Sequence, residues 1–314
     1  MSFALDIKRE IVMRDELSSE EKAALLSGFI KYNGELTFAN QRIGLKLTSI
    51  DNKIIRTLYK YLKEFYTGNI EISIIESRIL KKNKVYTLFL TDDVRKLLRH
   101  LEVFDWEKNN KMVELNTDIL NDSKLIWNYI GGVFVACGSA NDPETSNYHL
   151  ELQLKDDESC DYFVAILQRH KFNFKITKKR NKSICYIKKS NEVSDFIVRV
   201  NATSCALRFE ATRTEREMKN QVNRYLNIEI HNSQISIKAA EKQIEMIKEI
   251  KAKSLFSELS PKAQVLADLR LENPSSSFSE LVELMEDNGI SITKPGINNL
   301  FRNIRKIYEL MKGF

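Results

Sequence analysis

The chain has no apolar run approaching the ~20 residues that a bilayer crossing needs, so no membrane partner is expected. Met1 to Met13 does not have the form of a signal peptide, because Asp6, Lys8, Arg9 and Glu10 break up any apolar stretch there; the reading is a cytoplasmic protein. Cysteine and histidine are scarce. The four cysteines (137, 160, 185, 205) contain no C-x-x-C pair, and the four histidines (100, 149, 170, 231) form no ligand cluster with them. Scattered buried thiols are expected instead of a zinc site, and nothing calls for a resident metal or a cofactor. A large excess of one charge is missing too. Forty-nine basic residues face 43 acidic ones, for a net charge of +6. Any polyanion partner must therefore be argued from where the charge sits. With 314 residues, 43% of them hydrophobic, there is length for two domains and apolar content for a sizeable core.

The organising stretches are two apolar nonapeptides, Leu26 to Gly34 and Ile130 to Gly138. Each carries small residues early (Ser27 and Gly28; Gly131 and Gly132) and ends on a glycine suited to a left-handed helix cap. A glycine costs a helix roughly 1 kcal/mol against alanine, so its repeated use points to two helices whose backbones must come close. The order of elements then repeats. After Gly34, Glu35–Phe38 and Gly44–Thr48 read as a hairpin, Asp51 to Tyr66 as a helix, Ile70–Ile75 and Val85–Leu90 as a second hairpin, and Asp92 to Phe104 as a helix. After Gly138, Tyr148–Leu154 closes a hairpin, Asp157 to His170 is helical, Phe172–Thr177 and Ser183–Lys188 form a hairpin, and Val193 to Val200 begins a helix. The tips of the second hairpins share chemistry: Lys81-Lys82-Asn83-Lys84 and Lys178-Lys179-Arg180-Asn181-Lys182. The fold class is α+β, a duplicated helix–hairpin–helix–hairpin–helix unit with pseudo-twofold symmetry. Before it, Met1 to Met13 reads as a short amphipathic helix, and Ser18 with Glu21 supplies a capping box for the first seam helix.

The last module is helical. Ser260-Pro261 starts a helix with Val265, Leu266 and Leu269 on its apolar face, and Asn273-Pro274-Ser-Ser-Ser277 breaks it. A second helix over Leu281, Leu284 and Met285 follows, then a turn at Gly289. Thr293 caps a third helix running to Met311, with Ile297, Leu300 and Ile304 on its buried stripe. Short helices with a glycine turn before a long last one suit a helix-turn-helix. Between Asp268 and Asp287 six carboxylates face Arg270 alone, whereas between Lys294 and Lys312 five basic residues face Glu309 alone. The solvent face of the third helix offers Lys294, Asn298, Asn299, Arg302 and Asn303, with Arg305 one turn on. These side-chain types pair with guanine and adenine edges in a major groove. The alternative is a small interaction bundle.

The two nonapeptides align with the LAGLIDADG motif of homing endonucleases. The whole chain resembles the bacterial WhiA proteins, regulators of sporulation and cell division, through Gly-Gly-Val-Phe-Val-Ala-Cys-Gly-Ser-Ala-Asn-Asp-Pro-Glu at 131–144, Asn-Arg-Tyr-Leu-Asn at 223–227 and the helix-turn-helix end. The resemblance implies an N-terminal helix (1–20), LAGLIDADG-like halves at 21–110 and 111–209, a helical linker at 210–254 and a DNA-binding domain at 255–314 whose motif lies at about 277–310. A nuclease of the LAGLIDADG kind needs a carboxylate at the eighth motif position of each half, to hold divalent cations against the scissile phosphates. Those positions are Asn33 and Cys137; asparagine is a weak neutral ligand and cysteine too soft for magnesium, while Glu35 and Asp142 are out of register.

Two further surfaces have a phosphate-contacting reading. From Phe163 to Asn191 there is no acidic residue, and the hairpin bearing Lys178, Lys179, Arg180 and Lys182 becomes a basic ribbon, one face of its first strand (Phe172, Phe174, Ile176) being core. A solvated edge whose lysines confer solubility explains the same residues. From Glu210 to Ile250 the pattern is helical, expected in two helices broken near His231–Gln234, with Arg213, Arg216 and Arg224 on a polar face that is either a phosphate contact or an exposed face laced with pairs such as Arg213–Glu217. Three functions follow: a double-stranded-DNA-binding transcriptional regulator associated with the nucleoid, in which the duplicated domain adds a second surface for DNA or for a protein; a protein-docking scaffold on the nucleoid; and a LAGLIDADG-type endonuclease, which the motif residues disfavour.

Overall fold

The computed structural model describes residues 2–39, 42–76, 84–145, 147–179 and 182–312. The chain forms two compact units, Met1–Arg216 and Glu217–Phe314. The first unit begins with α1 (Phe3–Val12) and the seam helix α2 (Ser19–Asn33), which the Ser18–Glu21 capping box starts with bonds of 2.8 and 3.2 Å. Then come β1 (Glu35–Ala39), β2 (Arg42–Ser49), α3 (Asn52–Phe65), β3 (Ile70–Glu76), β4 (Lys84–Leu90) and α4 (Val94–His100). A linking segment holds β5 (Phe104–Asp105), β6 (Asn110–Lys111) and α5 (Thr117–Asn121). The second half repeats the plan: seam helix α6 (Ser123–Cys137), β7 (Gly138–Ala140), β8 (Leu150–Leu154), α7 (Asp157–Arg169), β9 (Lys175–Lys179), β10 (Lys182–Ile187) and α8 (Ser190–Arg199).

The duplication reaches the level of caps and registers. Asp51 accepts the Ile54 N–H at 3.0 Å to start α3, and Asp156 accepts the Ser159 N–H at 2.7 Å to start α7. The antiparallel sheets have matching orders, β1-β2-β4-β3 and β7-β8-β10-β9. Directly paired residues share a face, so Leu45↔Leu90 and Leu47↔Leu88 in one sheet and Leu152↔Cys185 and Leu150↔Ile187 in the other form buried rows under the helices. At the seam, a Cβ on Gly28 would overlap the Tyr129 carbonyl oxygen, and one on Gly132 the Leu25 carbonyl oxygen. Backbone lies on backbone there, as the small-residue pairs require.

Four expectations are corrected by the fold. Gly34 and Gly138 are not left-handed caps: their φ values are −63° and −78°, and the chain runs extended into β1 and β7. Glycine is needed for room, since a Cβ would meet the Ile30 carbonyl at 2.5 Å in one case and the Phe134 ring in the other. The strand expected from Phe172 begins only at Lys175. Phe172 and Phe174 are buried ahead of it, beside Trp127 and Phe196, while Ile176 is 41% exposed, so β9 has no core face. The break expected near His231–Gln234 is absent: α9 is one helix from Thr203 to Ala252. That segment holds neither Pro nor Gly, and its Asn and Ser residues cost a helix only some tenths of a kcal/mol each.

In the second unit the last turns of α9 pack with α10 (Pro261–Glu272), α11 (Phe278–Asp287) and α12 (Lys294–Lys312) around fully buried Ile247, Leu266, Leu281, Met285, Ile297 and Ile304. Gly289, at φ +75°, makes the turn between α11 and α12, and a second capping box, Ser277 with Glu280, starts α11. The fourth correction concerns the stripe of α12. Phe301 is buried, stacked 5.6 Å from Phe278, and Leu300 is only half-buried. Ile297, Phe301 and Ile304 follow the i, i+4, i+7 face that meets α11.

Candidate nucleic-acid interface

On α12 every expected reading residue is exposed: Lys294, Asn298, Asn299, Arg302, Asn303 and Arg305. The helix holds them out because its opposite stripe is locked into the core. They divide into two sets. Asn298, Arg302 and Arg305 line a groove of about 590 Å³ whose other wall is the Ala239–Met246 stretch of α9. Asn299 and Asn303 are not part of that groove. Arg305 donates Nε–H to Glu309 at 2.8 Å; both side chains are well exposed, so the pair is weak and can open for a phosphate. The groove was not legible in the sequence, because the apparent break at His231–Gln234 separated α9 from the module it walls.

Among the basic-hairpin residues, Lys178, Lys179 and Lys182 are exposed, Arg180 lies outside the described residues, and so do Lys81, Lys82 and Asn83 of the first hairpin. Lys178 is tied to Asp157, which also accepts the Ser183 hydroxyl, on the helix side of the sheet. The register Lys175↔Tyr186, Tyr186↔Glu151 and Lys179↔Lys182 puts three lysines on the solvent side, where Lys188 also sits 5.2 Å from the Tyr186 ring. The matching face of the first sheet offers Arg42 and Lys46, the latter 3.2 Å from Glu35. Arg224 is exposed on α9, whereas Arg213 bonds Glu210 at 3.2 Å and Asn191 at 2.6 Å, and Arg216 donates to the carbonyls of Pro143 and Thr145 at 3.0 and 2.6 Å. Arg216 therefore anchors the Asn-Asp-Pro-Glu loop.

At the eighth motif positions, the Asn33 amide is held by Thr48, accepting its N–H at 2.8 Å and donating to its carbonyl at 3.1 Å. The Cys137 thiol donates to the Val133 carbonyl at 3.2 Å, and burial pushes it up to about 12, so it stays protonated. Glu35 faces solvent with Lys46, and Asp142 turns its carboxylate to the Glu144 N–H at 3.0 Å. One residue the motif gave no hint of is Lys8, on α1. It shares a cavity of about 350 Å³ with Asn33, Thr48 and Ser139, and burial lowers its pKa. Among the described residues, no group of three or more His, Cys, Asp or Glu could hold a metal ion, and no helix is long and apolar enough to cross a membrane. All four cysteines are free.

Family models agree with this division. The model of the WhiA N-terminal LAGLIDADG-like domain matches residues 19–104, that of the WhiA LAGLIDADG-like domain residues 126–219, and that of the WhiA C-terminal HTH domain residues 222–308. The chain is 36% identical over 312 residues to the probable cell division protein WhiA of Enterococcus faecalis (strain ATCC 700802 / V583), covering 99% of each. The chain belongs to the WhiA family. Its likeness to the WhiA of Ligilactobacillus salivarius (strain UCC118) is 34% over 312 residues, 99% of this chain and 98% of that one. The solved full-length DUF199/WhiA from Thermatoga maritima shares the fold, with a TM-score of 0.59 and 23% identity over 98% of both chains. The WhiA relatives named here are called probable cell division proteins, and two LAGLIDADG-like domains followed by a helix-turn-helix describe this chain.

Proposed function

We propose that this WhiA-family chain is a nucleoid-associated, DNA-binding transcriptional regulator acting in cell division, and that its LAGLIDADG-like domain does not cleave DNA. The observation that carries the reading is the exposed Lys294–Asn298–Asn299–Arg302–Asn303 surface of α12, held outward by the buried Ile297–Phe301–Ile304 stripe directly after the Gly289 turn. Asparagine and arginine on the leading turns of such a helix supply the bidentate contacts that separate adenine and guanine from the other bases. The lysine face of the second sheet adds sequence-independent phosphate attraction. The test is a selection from random duplexes with the full chain and with its Arg302→Ala and Asn298→Ala variants. A site should emerge for the full chain, and each variant should lose about 1–3 kcal/mol on it, relaxing one or two base positions, with little change on random DNA. If both variants keep full affinity and preference while folded, α12 is not the reader.

A second reading, a protein-docking scaffold, is favoured by the edge strand β3, where Ile72, Ile74 and Ile75 are 58, 58 and 60% exposed. Capture of a protein by the full chain, abolished by Ile72→Lys with Ile74→Lys and accompanied by no selected duplex, would put that reading first.

A further inference from the structure

Lys8 is half-buried on α1, 6.0 Å from the centroid of the Phe134 ring, and among the described residues it makes no hydrogen bond and no ion pair. An ammonium carries three N–H donors, and taking them out of water without an acceptor is unfavourable. Lys31, by contrast, is buried with the Val113 carbonyl at 2.8 Å. Lys8 opens instead into the cavity of about 350 Å³ that it shares with Thr48 and Ser49, at the end of β2, and with Ser139 on β7. Among the described residues no carboxylate lines that cavity, and Lys8 is its one charged side chain. The Ser49 oxygen accepts the Asp51 N–H at 3.1 Å, which leaves its hydroxyl proton to give. Thr48 offers Asn33 only its main chain, so its hydroxyl is open as well. Phe29, Ile54 and Val135 supply apolar wall.

We propose that this cavity binds a small phosphate monoester, its phosphoryl oxygens held by Lys8 and by the hydroxyls of Thr48, Ser49 and Ser139, its body lying against Phe29, Ile54 and Val135. One positive charge with no negative charge beside it selects an anion. An ammonium together with several hydroxyls offers more donors than the two oxygens of a carboxylate use, and suits the three terminal oxygens of a monoester. A bare ion would leave the apolar wall unused. The volume lies at the lower end of the ~300–1,000 Å³ of small-molecule pockets, which are mostly apolar with a few polar groups that orient the ligand. Every group named belongs to the first unit, so the site does not depend on α12 reading bases.

Calorimetric titration of the full chain with phenyl phosphate tests this, with inorganic phosphate and benzoate as comparisons. One phenyl phosphate should bind per chain, more tightly than either comparison, and Lys8→Met should weaken it at least about tenfold, because charge-assisted hydrogen bonds are lost. Ser139→Ala should weaken it by less. Methionine keeps the length of the lysine stem and leaves the buried Phe3, Ile7 and Ile11 of α1 in place, so the thermal midpoint without ligand should not fall. Lys179→Gln with Lys182→Gln removes exposed charge elsewhere and should leave the affinity for the ester unchanged. Absence of saturable binding up to about 20 mM phenyl phosphate overturns the proposal. So does binding that Lys8→Met leaves intact, that the Lys179 and Lys182 variant weakens equally, or that benzoate matches. Refusal of the ester together with a duplex salt dependence flattened by Lys8→Met would make Lys8 a contact to the DNA backbone, and would overturn it too.

Discussion

Lys31 shows how much a single side chain of the seam is asked to bear. It is 4% exposed near the end of α2, where its ammonium donates to the Val113 carbonyl at 2.8 Å, and burial lowers its pKa to about 8. Lys111, which donates to the Lys31 carbonyl at 2.8 Å, is likewise lowered to about 8, by burial first and then by neighbouring Lys155. Between pH 8 and the ordinary value of 10.5 the folded chain holds fewer protons at these sites than the unfolded chain, so stability rises with pH across that window. The thiols of Cys137 and Cys205, pushed up to about 12 by burial, act in the opposite sense above their ordinary value of 9.0, as does Tyr32 above 10.0. The thermal midpoint is therefore expected to climb from about pH 7.5 to a maximum near pH 9 and then fall. Lys31→Met should flatten the climb, and an unchanged pH profile in that variant would remove Lys31 as its source. A second expectation at this scale concerns cleavage. With a neutral amide held by Thr48 at position 33, a protonated thiol at Cys137 and Lys8 in the same cavity as Asn33, supercoiled DNA should stay uncut in magnesium or manganese. Asn33→Asp with Cys137→Asp should not produce a fast enzyme either, because ligands must be placed within about 0.5 Å. Metal-dependent nicking abolished by Glu35→Ala or Asp142→Ala would reverse the assignment.

At the scale of elements, the hairpin of β9 and β10 separates two effects that its lysine content confounds. Lys179 and Lys182 face solvent on the sheet's open side, whereas Lys178 lies on the other, helix side, next to Asp157. Replacing Lys179 and Lys182 with glutamine should weaken all duplexes equally and flatten log affinity against log salt by roughly 0.9 for each phosphate that is no longer neutralised. Lys178→Gln should leave the slope alone. Equal slopes for all three chains would assign these lysines to solubility. Legibility also divides by element. The hairpins, the capping boxes and the buried Ile297 and Ile304 could be read from the sequence, since period, cap residue and turn glycine are local signals. The length of α9 and the neighbour of Asn298, Arg302 and Arg305 could not, since a polar segment without proline or glycine takes its state from the helices on either side of it. Nor could Phe301 be preferred over Leu300: adjacent apolar residues straddle the stripe, and only the position of Phe278 decides between them.

For the whole molecule the question is whether the duplicated unit stands on its seam, and two neighbouring glycines answer it. Alanine for glycine in a helix gains roughly 1 kcal/mol from propensity alone, so both substitutions start with the same advantage. At Gly131 the added Cβ comes within 3.1 Å of the Ile11 side chain, whose methyl group can give way, and the nearest backbone, the Val200 carbonyl, is at an ordinary 4.0 Å. At Gly132 it runs into the Leu25 carbonyl and comes within 2.9 Å of the Phe29 nitrogen; at Gly28 it runs into the Tyr129 carbonyl, with the Val133 nitrogen at 3.0 Å. Backbone cannot yield there without parting α2 from α6, and the core of the first unit is built on both helices. Gly131→Ala should therefore leave stability within about 1 kcal/mol, while Gly28→Ala or Gly132→Ala should cost about 4 kcal/mol or more, since overpacking against main chain has no soft neighbour to absorb it. The second unit has its own core, made by the end of α9 with α10, α11 and α12. In the Gly132→Ala chain, calorimetry should show the larger transition shifted down and the smaller one unmoved, and any selected duplex should still be preferred over random DNA. A Gly132→Ala chain as stable as its parent would mean that the seam is not close-packed, and loss of the smaller transition along with the larger would mean that the two units fold as one.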